Sequence, residues 1–233
     1  ETTSPTLENL WKTDSVFKIP ESVYYDDARN LLYVANLQGE SNAKDGNGFI
    51  SRVDLDGEIL DRKWITGLNA PKGMGVHNNK LYVSDVDAVV RIHLGKEDIE
   101  KRFPLKGAEF ANDIDINQEG TVYISDMRGN KIYGLKDDKT SVWLDSDKLD
   151  GPNGLYAEEN ALLIGINGSV LKADYETGQL EELIANTGGI DGLEHVEGDK
   201  YIISDWAGHV HLIQPGKEKI LLLNTADQDI NAA

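Results

Sequence analysis

One pattern recurs along this chain and constrains its fold more than any other property. The segments Leu31–Asn36, Lys80–Asp85, Thr121–Asp126, Leu162–Asn167 and Tyr201–Asp205 each hold an apolar, β-branched run closed by Asn or Asp. Their closing residues are 49, 41, 41 and 38 positions apart. Short strands and Gly/Asx turns at a period near 40, with no 3.6-residue periodicity between them, are the signature of four-stranded propeller blades and exclude parallel βαβ units. Each unit reads as a first strand of small residues (Gly154-Leu155-Tyr156), the run above, a third strand (Val89–His93) and an outer strand (Ser141–Leu144).

The expected fold is all-β: a six-bladed β-propeller of four-stranded antiparallel blades, formed as a single domain over 1–233. The blades fall at about 20–70, 71–110, 111–151, 152–189 and 190–229. Residues Ser15–Ile19 resemble an outer strand with no blade before it, and Ile230–Ala233 a first strand with no blade after it. On that reading residues 11–19 and 230–233 belong to a closing blade truncated in this chain, an arrangement that removes exposed sheet edges. The rival reading is a five-bladed ring with a frayed tail.

Charge narrows the partners. The chain has 41 acidic against 23 basic residues, a net charge of −18, and no Lys/Arg-rich run. Such a field repels nucleic acid and anionic membrane surfaces, so the expected partner is a small-molecule substrate or ligand. No apolar run reaches the 18 residues of a membrane span. The absence of cysteine removes disulfides, thiolate metal sites and a Cys nucleophile. The opening Glu1-Thr2-Thr3-Ser4-Pro5 fits a mature exported protein, periplasmic or secreted.

Aligning the units by their second strands also aligns the starts of their first strands, which lie innermost in a propeller. Glu21, Lys72, Asn112, Asn153, Asp191 and Asn231 share that slot, and all are polar. The carboxylates and amides among them form an all-oxygen donor set suited to a hard cation, Ca²⁺ foremost, with Mg²⁺ or Zn²⁺ as alternatives. Asn-Gly and Asp-Gly before a strand also make ordinary turns, an explanation that accounts least well for Glu21.

The motifs Pro20-Glu21-Ser22-Val23, Ala111-Asn112-Asp113, Pro152-Asn153-Gly154-Leu155 and Asp191-Gly192-Leu193 resemble those of the regucalcin/gluconolactonase (senescence marker protein) family. The resemblance implies a six-bladed propeller whose single divalent cation polarises a lactone or ester carbonyl for hydrolysis. It implies metal ligation by Glu21, Asn112, Asn153 and Asp191. The expected function is therefore a metal-dependent, lactonase-like hydrolase with Asp191 or Glu21 as general base, and the alternative is a non-catalytic propeller that binds a ligand or protein partner. In the family's sugar lactonases an arginine two residues before the first ligand Asn binds substrate, but Phe110 stands there in this chain. Lys72, Phe110, Asn231 and His195 are the expected substrate-binding residues.

The strand-closing Asn36, Asp85, Asp126, Asn167 and Asp205 recur in every unit and read as turn caps. His209 and His211, two apart on a third strand, read as surface residues. No P-loop and no Gly-x-Ser-x-Gly elbow occurs. Residues 37–48, the longest inter-strand loop, read as bordering the slot.

Overall fold

The computed structural model describes residues 5–226, which contain twenty strands in five four-stranded antiparallel sheets, each in simple meander order. The first sheet comprises β1 (Pro20–Asp26), β2 (Leu31–Asn36), β3 (Gly48–Asp54) and β4 (Ile59–Leu68). The second comprises β5 (Pro71–His77), β6 (Lys80–Asp85), β7 (Ala88–His93) and β8 (Asp98–Pro104). The third comprises β9 (Ala111–Ile116), β10 (Val122–Asp126), β11 (Lys131–Lys136) and β12 (Lys139–Asp145). The fourth holds β13 (Leu155–Ala157), β14 (Ala161–Gly165), β15 (Ser169–Asp174) and β16 (Leu180–Ala185). The fifth holds β17 (Leu193–Glu197), β18 (Lys200–Ser204), β19 (His209–Ile213) and β20 (Ile220–Asn224).

The sheets fall into two compact units. Residues 13–152 carry the first three sheets; residues from 153 onward, with the N-terminal stretch to Lys12, carry the other two. The recurrent apolar runs lie on β2, β6, β10, β14 and β18, the second strand of each sheet. They are buried on both faces, which is why they read as nearly continuous apolar runs.

Hairpin chemistry sets the registers. The β5–β6 hairpin turns on Asn78-Asn79 and the β11–β12 hairpin on Asp137-Asp138, all four at positive φ. Two-residue type I′ turns need that conformation, and Asn and Asp tolerate it better than other side chains.

Within each unit the sheets pack face to face. Tyr33, Ile50 and Leu68 of the first meet Met74, Leu81, Val83 and Ile92 of the second. Val89 and Phe103 of the second meet Ile114, Ile124 and Tyr133 of the third. Leu163, Val170 and Ile184 of the fourth meet Leu193, Tyr201 and Ile203 of the fifth. Burial of each such side chain is worth about 1.5–3 kcal/mol.

Two expectations about the ends are corrected. The blades number five among the described residues, not six. Residues 11–19, assigned to a closing blade, contain no strand. Their apolar pattern imitates one, but their backbone is used otherwise. Lys18 N–H donates to Asn36 Oδ1, Lys18 and Ile19 carbonyls accept from Gln38 and Leu37, and Ile19 takes φ 54°. This stretch is thus tied to the loop after β2 and joins no sheet among the described residues. Residues 230–233, including Asn231, lie outside the described residues.

Candidate functional site

The slot residues are placed by backbone irregularity. In the first sheet Pro20 pairs with Asn36 and Ser22 with Ala35, so Glu21 is an extra residue on β1. In the second, Pro71 pairs with Asp85 and Met74 with Val83, so Lys72-Gly73 oppose Ser84 alone. In the third, Ala111 pairs with Asp126 and Ile114 with Ile124, so Asn112-Asp113 oppose Ser125 alone. The same one-residue bulge therefore opens three successive first strands, a device that re-aims a side chain out of the normal alternation.

Small second-strand residues and the neighbouring sheet hold these bulges. Ser22 Oγ donates to the Lys72 carbonyl at 2.7 Å, and Ser84 Oγ to that of Asn112. Asp113 N–H donates to Ser125 Oγ at 2.9 Å. A Cβ on Gly73 would stand 2.5 Å from Asp113 Cα, so only glycine permits this approach of β5 to β9. In the other unit Asn153 and Asp191 precede their strands, held through Asn153 N–H to Gly165 O at 2.9 Å and Asp191 N–H to Ser204 O at 2.8 Å. A Cβ on Gly154 would stand 2.8 Å from Asp191 O.

The strand-closing aspartates are structural. Asp85, fully buried, accepts from Asn69 and Ala70 N–H and pairs with Arg102, fixing the linker into β5. Asp126 accepts from Glu109 and Phe110 N–H and fixes the linker into β9.

In the 13–152 unit the slot is more cationic than the donor set implies. Lys72 is 1% exposed, and its Nζ donates to Ala70 O at 3.0 Å and lies 4.5 Å from the centre of the Phe110 ring. Burial lowers the ammonium's pKa; the Glu21 and Asp85 charges oppose this, and Arg128 reinforces it. The Arg128 guanidinium lies 4.3 Å from the centre of the same ring. Arg128 was not singled out from the sequence. Asn112 is buried, with Nδ2 facing Met127 Sδ at 3.9 Å.

In the other unit Asn153 Nδ2 donates to Asp191 Oδ1 at 2.8 Å. Burial pushes the Asp191 carboxyl up to about 6, the Asn153 hydrogen bond working against that rise and the charge of Asp205 with it. His195 is engaged elsewhere: its ring stacks on Tyr156 at 5.5 Å, and its Nε2 sits 3.0 Å from Gly198 O. His209 Nδ1 lies 3.1 Å from Asp205, and the His209 and His211 rings are 5.8 Å apart. Among the described residues no cluster of three or more His, Asp or Glu is arranged to hold a metal ion. Pockets of about 400 Å³ beside Lys172 and Asp174, and about 640 Å³ beside Thr187 and Lys219, include no slot residue.

No protein-family model and no curated protein matches the chain. Solved structures do. Virginiamycin B lyase from Staphylococcus aureus is 19% identical, with 87% of this chain and 69% of that chain covered and a TM-score of 0.65. A streptogramin B lyase is 12% identical over 91% and 85%, with a TM-score of 0.63. The WD40 β-propeller domain of Doa1 is 13% identical over 86% and 67%, with a TM-score of 0.66. At these identities the likeness establishes the fold alone, and that fold is an all-β propeller with four-stranded antiparallel blades.

Proposed function

We propose that the protein is a lactone- or ester-cleaving enzyme that works with a bound divalent cation, Ca²⁺ foremost. The observation that carries this reading is the Asn153–Asp191 pair, a largely buried carboxylate at the start of a first strand whose ionised form is disfavoured until a cation neutralises it. Asp191 and Asn153 would be two of the ligands. When bound, the cation supplies Lewis-acid polarisation of a carbonyl oxygen.

Burial holds the Asp191 carboxyl near 6 in the cation-free protein, and a cation bound there would draw it back down and keep it ionised, so the burial supports a ligand role for Asp191 and not a general-base role. The resemblance to the regucalcin/gluconolactonase motifs and the fold shared with virginiamycin B lyase support an assignment to this class of chemistry. The same reading places the protein outside the cytosol, where Ca²⁺ is plentiful enough for weak sites.

The test pairs metal analysis with a hydrolysis screen. Protein dialysed against Ca²⁺, Mg²⁺ or Zn²⁺ should retain a single equivalent of cation, and turnover of a lactone and ester panel should stop on chelation. A protein that retains no cation and turns over none of the panel would refute the reading.

A further inference from the structure

Arg128 occupies the four-residue loop between β10 and β11. That loop leaves the sheet at the end where β9 begins, because Asp126 pairs with Ala111. It therefore adjoins Asn112, whose Nδ2 reaches Met127 Sδ. Arg128 is exposed, while the Phe110 ring beneath its guanidinium is 4% exposed. Lys72 Nζ lies on the same ring, so two cations share one aromatic platform.

Their partners differ. Lys72 feels the charges of Glu21 and Asp85, and the Asp85 carboxylate is already occupied by two backbone N–H groups and Arg102. Arg128 makes no hydrogen bond or ion pair among the described residues, in a chain where acids outnumber bases 41 to 23. A guanidinium laid on a ring keeps its in-plane N–H fork free to meet a planar, two-oxygen anion. Two like charges on one ring also repel, a cost that a bound anion relieves.

We propose that Arg128, held on Phe110 beside Lys72, binds a carboxylate carried by the substrate and so selects anionic lactones or esters over neutral ones. This rests on the hydrolase reading for the identity of the ligand as substrate, but anion binding itself does not. The site is ready-made because Asp126 fixes the Phe110 backbone and burial fixes the Lys72 stem. Binding at Arg128 requires no cation.

The test uses the whole protein in chelator, with propionate and its neutral isostere propionamide as probes. Binding is read from the side-chain ¹⁵Nε resonance of Arg128, identified by its loss in Arg128→Gln. Propionate should shift that resonance and propionamide should not. The Gln variant should bind propionate about tenfold more weakly or worse, as expected for loss of a charge-assisted pair, and Arg128→Lys should recover part of the affinity. Equal binding of the two probes, or undiminished propionate binding by the Gln variant, would overturn the proposal. In the lactone panel, KM for carboxylate-bearing members should rise in the Gln variant while KM for neutral members stays put. If no lactone is turned over but propionate binding still depends on Arg128, the hydrolase reading fails and the anion site stands. Turnover with no difference between anionic and neutral members refutes the selectivity and leaves the hydrolase intact.

Discussion

Replacing Asp191 with Asn should stabilise the cation-free protein, although Asp191 is the residue on which the proposed chemistry depends most. The folded carboxyl titrates at about 6 against 3.8 for an unperturbed one, because burial disfavours its charged form. The folded state then holds its proton to higher pH than the unfolded state does. Wild-type stability relative to the Asn variant therefore falls as pH rises from about 4 to about 6 and stays level above that. The interval, at about 1.4 kcal/mol for each step of one in pH, sets an upper limit of about 3 kcal/mol. The carboxylate keeps some solvent contact, so a gain of about 1–3 kcal/mol is expected, or about 2–10 °C in Tm for a chain of this size. An Asn side chain can still accept the Asn153 hydrogen bond, so little is lost in exchange. Urea unfolding in chelator, followed by tryptophan fluorescence at about pH 4 and about pH 7.5, reads the difference directly. The two proteins should match at the lower pH, and the variant should lead at the higher. Millimolar Ca²⁺ should then raise the wild type and leave the variant unmoved, since only a state that binds the ion gains from it. A variant less stable than wild type at about pH 7.5, or a difference that ignores pH, would refute the electrostatic argument.

Lys72→Met removes a buried ammonium while keeping the packed stem, so cation affinity should be unchanged or higher by calorimetry; a clear loss would show that the ammonium helps build the site. Gly73→Ala forces a Cβ to 2.5 Å from the Asp113 backbone, which cannot yield as a side chain could. It should cost about 3 kcal/mol in urea unfolding, and a cost under about 0.5 would mean that β5 and β9 part easily. Shortening residues 40–47 to a two-residue turn removes mainly an exposed Lys44–Asp87 pair, so stability should move by less than about 1 kcal/mol. Because Pro20 pairs with Asn36, this loop leaves the sheet at the Glu21 end, and its shortening should change turnover or ligand affinity; unchanged kinetics would reduce it to a surface excursion.

The sheets were legible because a second strand packed on both faces writes its burial into consecutive residues, as in Val122–Asp126 on β10. The slot came from alignment: with the second strands in register, a polar residue stands at the start of each first strand. The bulges were not, since a bulge is a mismatch in count between two strands and neither strand shows it alone. Ser15–Ile19 misled because an apolar alternation records only what a strand would need on its own side. The partner is missing from that information, and here the backbone partner is the loop after β2. Arg128 could have been found. The topological argument that brings residues 37–48 to the slot also brings the loop after every other second strand, and Met127-Arg128-Gly129-Asn130 is one of these.

The shared bulge makes the slot of each of the first three sheets a unit of insertion. Deleting Lys72 would leave Pro71 opposite Asp85, Gly73 opposite Ser84 and Met74 opposite Val83, an unbroken ladder in which Met74 and Val76 keep the faces they have now. The same holds for Glu21 on β1, where deletion brings Pro20 and Ser22 onto consecutive partners. A slot residue can thus enter or leave a blade by a single codon without inverting any core residue, whereas an insertion elsewhere in the strand would turn every following side chain to the opposite face. What a slot presents and how its blade packs are thereby uncoupled in the gene, and the repeats can diverge in the first while remaining alike in the second.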